Sequence, residues 1–249
     1  MTIIRSSPFA AVSVCVVLIV AAGVQMASAQ RPAADIARDV QRALSRQRDL
    51  SRVKVDVNGS EVTLSGPVPT LWAKRDAIKR ALDVDGVETV ASELELPEVA
   101  SDTSIAQQIG QAIRRYPYYT VWDYIDGIIN KGVVTLTGSV TPDRNKSADI
   151  EEAVARVRGV QEIRNQIVTL PPSKGDEELR IIIAYQLFRS DHFERFASQS
   201  NPPFHIVVHN SVVTLYGVVQ SEIEYREMER IVRQTDGVLR VQNKLEKAS

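Results

Sequence analysis

The sequence predicts an α+β chain of three tandem αββαβ domains, each a small three-stranded mixed sheet with two helices on one face. Two observations carry this. The heptapeptide VTLSGPV at 62–68 returns as VTLTGSV at 134–140 and as VTLYGVV at 213–219. Around each copy the same events recur in the same order: a helical apolar pattern, two strands about a tight polar turn, a second helical pattern, and a glycine-valine pair opening a last strand.

The leading helix shows Ile36, Val40 and Leu44 in the first repeat and Ile105, Ile109 and Ile113 in the second. In the third it shows Leu179, Ile182, Ile183 and Leu187. The strand pairs read VKVDV-NGSE-VTLSG, IDGII-NKG-VVTLTG and FHIVV-HNS-VVTLYG. Turns this short make antiparallel hairpins. The second helices are expected at roughly 70–84, 143–158 and 221–235, and a crossover of that size joins parallel neighbours. Gly86-Val87, Gly159-Val160 and Gly237-Val238 follow them, where a helix stops and positive φ is often needed.

Alternation puts Val62, Leu64, Gly66 and Val68 on the core side of the repeated strand. A glycine therefore stands where a branched apolar residue is expected, at Gly66, Gly138 and Gly217. Close approach of an overlying helix is one account, and a backbone bulge is the other. The domain boundaries expected are 30–98, 99–171 and 172–249, with short proline-bearing linkers near Pro97–Thr103 and Pro171–Lys174. Domains this small have marginal cores and gain by packing on their neighbours.

Residues 1–29 are set apart. Arg5, an apolar stretch from Ala10 to Val24 and the small residues Ala27-Ser28-Ala29 read as a secretory leader cut after Ala29. The single cysteine, Cys15, lies within it, so the exported chain is expected to hold no disulfide and no thiol chemistry. The whole chain carries a formal charge of −1. Such a balance gives no global electrostatic reason to bind nucleic acid. No G-x-S-x-G elbow, phosphate loop or dinucleotide fingerprint occurs.

With its leader, the αββαβ unit, the V-x-L-x-G-x-V strand, the later G-V and the closing Val241-Gln242-Asn243-Lys244-Leu245, the sequence resembles the BON domain, three times over. Ser92 stands where the other repeats have Asn165 and Asn243. The second repeat is irregular before its hairpin, at YPYYTVWDY, and the third is lengthened by HFERFASQSNPPFH. The resemblance implies a non-enzymatic periplasmic or envelope protein, attached to anionic phospholipid or acting in envelope integrity and osmotic stress protection, without a cofactor. It carries no lipid-contact motif onto particular residues.

Two basic clusters are candidate lipid contacts. Arg38, Arg42 and Arg46 recur every four residues opposite the apolar face of the first helix. Asp35 and Asp39 lie three residues before Arg38 and Arg42, so a solvated, ion-paired face is the alternative. Trp72, Arg75 and Lys79 line one flank of the next helix, beside the expected core positions Leu71, Ile78 and Leu82. Tryptophan beside cations suits a membrane interface; packing of Trp72 on the next domain is the alternative.

Of Tyr116, Tyr118, Tyr119, Trp122 and Tyr124, several are expected to fill a seam between domains with Ile128, Val207 and Tyr216, and stacking on sugars or lipids is the alternative. The matching face of the first repeat is polar, at Lys54, Asp56, Thr63 and Ser65. His205 and His209 stand four apart in a strand, where ~13 Å separates them, so no shared metal ion is expected. Glu151, Glu152, Glu222, Glu224, Glu227 and Glu229 are expected on solvated helix faces, and Ser92, Asn165 and Asn243 to bond neighbouring backbone. The alternative function to lipid attachment is an envelope scaffold that holds partner proteins on its apolar faces or aromatic seam.

Overall fold

The computed structural model describes residues 31–248; the expected leader and Cys15 lie outside them. Three repeats follow one another. The first holds α1 (Ala33–Ser45), β1 (Lys54–Asn58), β2 (Glu61–Pro67), α2 (Leu71–Leu82) and β3 (Thr89–Glu95). In the second are α3 (Asp102–Arg115), β4 (Tyr124–Asn130), β5 (Val133–Val140), α4 (Lys146–Ala155) and the short strands β6 (Glu162–Asn165) and β7 (Val168–Thr169). The third comprises α5 (Lys174–Leu187), β8 (Phe204–His209), β9 (Val212–Val219), α6 (Glu222–Arg233) and β10 (Arg240–Lys247).

The repeated heptapeptide is the central strand of every sheet. β2 pairs antiparallel with β1 and parallel with β3, and β9 does the same between β8 and β10. In the second repeat the last strand is split, but β6 and β7 pair β5 in one register, Val133 opposite Glu162 and Ser139 opposite Val168. A strand flanked on both sides and packed under helices must be apolar at alternate positions. Val62 and Leu64, Val134 and Leu136, and Val213 and Leu215 are accordingly buried.

Each sheet has its own core. Ile36, Val40 and Leu44 anchor the first, Ile105, Ile109 and Ile113 the second, and Leu179, Ile183 and Leu187 the third, all at four-residue spacing. Three expected core positions differ. Ile182 is exposed, because the 100° step of the helix turns it away from Leu179 and Ile183. On α2 the buried face is Ala73, Ala77 and Ala81; Leu82 is exposed, Ile78 half-buried, and Leu71 packs into the second repeat's core. Small residues let α2 lie close on its sheet.

The glycines of the repeated strand have a reason other than an overlying helix. Gly66, Gly138 and Gly217 have φ of +108°, +117° and +96°. A Cβ on Gly66 would stand 3.0 Å from the Arg52 carbonyl oxygen; on Gly138 or Gly217 it would overlap the Tyr124 or Pro203 carbonyl oxygen. The obstacle is backbone at the start of the partner strand, which corrects the helix account. Close approach to a helix belongs instead to the second glycine set. A Cβ on Gly86 or Gly237 would meet the Ile36 or Leu179 side chain at 3.1 Å, and one on Gly159 would meet Ile105 of α3 at 3.4 Å and, nearer still, the Ala100 Cβ just ahead of that helix at 2.9 Å.

Two hairpin turns are held by an aspartate from the preceding helix. Lys131 and Gly132 donate their N–H groups to Asp102, and Asn210 and Ser211 donate theirs to Asp176. Lys131, Asn210 and Ser211 adopt positive φ, a conformation that two-residue hairpin turns require and non-glycine residues resist.

Candidate functional surfaces

The first and second repeats meet through α2 and α4. Trp72 donates its Nε1–H to Glu152 at 3.1 Å, while the Arg156 guanidinium stacks 3.7 Å over the indole ring. Arg75 pairs with Glu151 at 2.7 Å. Trp72 and Arg75 thus face a neighbouring helix. Lys79, one turn on, is exposed and has no carboxylate partner among the described residues.

On α1, Arg38 pairs with Asp35 at 3.0 Å and Arg42 with Asp39 at 2.8 Å. Arg31 also reaches Asp39, and this hydrogen bond, first among its causes, holds the Asp39 carboxyl below the usual carboxylate range. Arg46 has no such partner. It opens a stretch the sequence reading overlooked: Arg46, Arg48, Arg52 and Lys54 are all exposed, none pairs with a carboxylate among the described residues, and Asp49 is the one acid between them. Their signal was present as charge density in RQRDLSRVK, but it crosses a helix end, a 3₁₀ turn and a strand start, so no single periodicity displays it.

The second and third repeats share a deeper seam built from the YPYYTVWDY segment. Tyr124 stacks on Tyr216 with ring centroids 3.8 Å apart, and Tyr119 lies 5.1 Å from the His205 ring. Val121 packs into the third core, donates its N–H to the Ser200 carbonyl and accepts the Ile206 N–H. That pairing also covers part of the outer edge of β8, an edge that would otherwise present free backbone groups. Val207 is buried, as the sequence expects, but Ile128 is not: it is 73% exposed. Tyr118 is exposed too, under the Arg144 guanidinium. Lys54 and Asp56 of the first repeat's outer face are exposed, matching its polar pattern.

At the base of this seam lies a buried ion pair that no sequence pattern announced. Lys146 is 1% exposed and Asp123 is fully buried; Lys146 Nζ donates to Asp123 Oδ2 at 2.9 Å and to Thr141 Oγ1 at 2.7 Å. Asp123 also accepts the backbone N–H groups of Thr120 and Thr141. Satisfaction by several donors is what makes a buried carboxylate tolerable.

His205 sits in the same seam, its Nδ1 3.4 Å from the Thr120 carbonyl oxygen, and burial pushes the imidazole pKa below its ordinary value. The folded chain therefore resists the proton that the unfolded chain accepts near pH 6.5. Stability from this group is present above that pH and declines as pH falls through the depressed folded value. Thermal melts between pH 7.5 and 5 are expected to show a smaller loss of stability in His205→Phe than in the native chain.

The remaining polar positions differ in part from expectation. Glu224 is buried, pairs with Arg195 and accepts the Gln220 N–H, closing the start of α6. Glu151 and Glu229 accept hydrogen bonds from Asn165 and Asn243, both at 3.0 Å. Each of these asparagines also accepts the N–H two residues on, at Ile167 and Leu245. Asn165 and Asn243 thus clamp the last strand to the second helix as well as to backbone. In the first repeat the corresponding pair is Ser92 and Ile78, and the clamp is missing.

Fold and surface together define a tandem αββαβ protein whose repeats meet in packed seams. The profile of the BON domain matches residues 32–98, 101–171 and 192–248, and the chain belongs to that family. No curated protein matches it. Among solved structures, it is similar to the C-terminal domain of CdsD, the structural protein of the type III secretion system of Chlamydia trachomatis. That likeness has 12% identity, 86% of this chain and 98% of that one covered, and a TM-score of 0.25. The PrgH periplasmic domain is similar at 13% identity, with 84% and 99% covered and a TM-score of 0.21. Among the described residues no helix is long and apolar enough to cross a membrane.

Proposed function

We propose that the chain is a non-enzymatic, exported protein of the cell envelope that attaches peripherally to anionic phospholipid, in envelope integrity or osmotic stress protection. The observation that carries this is the exposed set Arg46, Arg48, Arg52 and Lys54, whose charge no carboxylate among the described residues takes up. Each cation near an anionic leaflet contributes about 1 kcal/mol. Membership of the BON family supports the envelope assignment. Trp72 and Arg75 are removed from this contact, since a neighbouring helix occupies them; Lys79 stays available to it.

Replacing the four cations together with glutamine is expected to lower binding to phosphatidylglycerol vesicles by about a hundredfold or more. Sedimentation at rising salt should weaken the native chain as well, because exposed charges are screened. Equal sedimentation of variant and native chain would refute the contact. A scaffold for partner proteins is the second reading, favoured by Ile181, Ile182 and Tyr185, which are exposed on α5. A native chain that fails to sediment with the vesicles at any salt concentration would favour this second reading over the lipid contact.

A further inference from the structure

A cleft of about 800 Å³ opens where the second repeat meets the start of the third, with Trp122, Pro142 and Pro172 among its walls. Its size is that of a small-molecule site. Three cations line it: Lys146, Lys174 and Arg180.

These cations are not equivalent. Lys146 is saturated by Asp123, Thr141 and Asp143. Arg180, whose side chain is only 6% exposed, donates Nη1 to Glu177 and Nη2 to the Val208 carbonyl, but its buried Nε has no acceptor among the described residues. A buried, charged N–H without an acceptor is costly, and native structures rarely leave one. Lys174, at the first turn of α5, has no carboxylate partner among the described residues.

The charges are also layered by depth. Among the residues that line the cleft the buried charges are Lys146, which Asp123 cancels, and Arg180; Asp176, also buried, lies outside the lining and accepts the Asn210 and Ser211 N–H groups. The carboxylates that oppose Arg180, Glu177 and Asp143, are 64% and 57% exposed at the rim, where water screens them. One negative charge set deep in the cleft is therefore matched, whereas a second would face the rim carboxylates.

We infer that this cleft binds a small monocarboxylate carried on an apolar body, its carboxylate accepting the Arg180 Nε–H and its body lying against Trp122, Pro142 and Pro172. Nothing in this site depends on the lipid contact at 46–54.

Calorimetric titration of the full chain with decanoate tests it, with decanol and inorganic phosphate as comparisons. Decanoate is expected to bind one to one and at least about tenfold more tightly than decanol, the difference that a charge-assisted hydrogen bond makes. Arg180→Lys keeps the charge but lacks the planar Nε donor, and is expected to lose about tenfold in affinity. Pro172→Trp, at an exposed wall position, fills the cleft without touching Arg180 and should abolish binding at an unchanged melting temperature. Absence of decanoate binding, binding that survives Pro172→Trp, decanol binding as tightly as decanoate, or phosphate binding more tightly than either would each overturn the inference.

Discussion

Lys146→Met is expected to destabilise the chain by about 3–5 kcal/mol, the cost of stripping one partner from a buried ion pair. The loss comes from what stays behind. Asp123, fully buried, would keep its bonds to the Thr120 and Thr141 N–H groups but lose the cation that offsets its charge. Because Asp123 ends the segment that carries Val121 into the third core, the damage should reach both repeats. Urea unfolding followed by circular dichroism measures the effect. The double variant Lys146→Met with Asp123→Asn should recover part of it, since no net charge is then buried. A Lys146→Met chain within 1 kcal/mol of the native one, on the order of a surface pair's contribution, would contradict the assignment.

Gly138→Ala is expected to cost at least about 2 kcal/mol, a sum of unfavourable φ and overlap with the Tyr124 carbonyl oxygen. Gly59→Ala separates these two causes. Gly59 has φ of +63° with nothing within 4 Å of an added Cβ, so only the backbone penalty of about 1 kcal/mol applies there. Parallel denaturation of both variants checks the ranking. If Gly59→Ala proves the more damaging, the close backbone approach at Gly138 is not what selects glycine.

Much of the fold was legible because local periodicity and global topology agree. Ile105, Ile109 and Ile113 repeat at helical spacing, Val134 and Leu136 alternate, and the turn at Lys131-Gly132 is too short for anything but a hairpin. Where the two disagree, sequence reading failed. The apolar pattern of α2 favoured Leu71, Ile78 and Leu82; Leu71 is buried, yet alanines take the rest of the buried face in place of Ile78 and Leu82, because burial depends on how near the sheet the helix lies. The glycine at 138 was visible, but its obstacle is a carbonyl fourteen residues earlier in the chain, brought near only by strand pairing.

The candidate surfaces divide the same way. Arg38 and Arg42 carry their partners one turn away, so their pairing was readable in the chain. Trp72 meets Glu152 and Arg156, eighty residues on and beyond, which no local pattern encodes.

By itself the sequence determined the repeat, the element order and the inward face of each central strand, since hydrophobic period and turn length act over a few residues. Only the tertiary structure decided which side chains close the seams, which cations keep their charge exposed at 46–54, and that Asp123 and Lys146 meet out of water. Those outcomes depend on distances between residues far apart in the chain, and packing sets such distances.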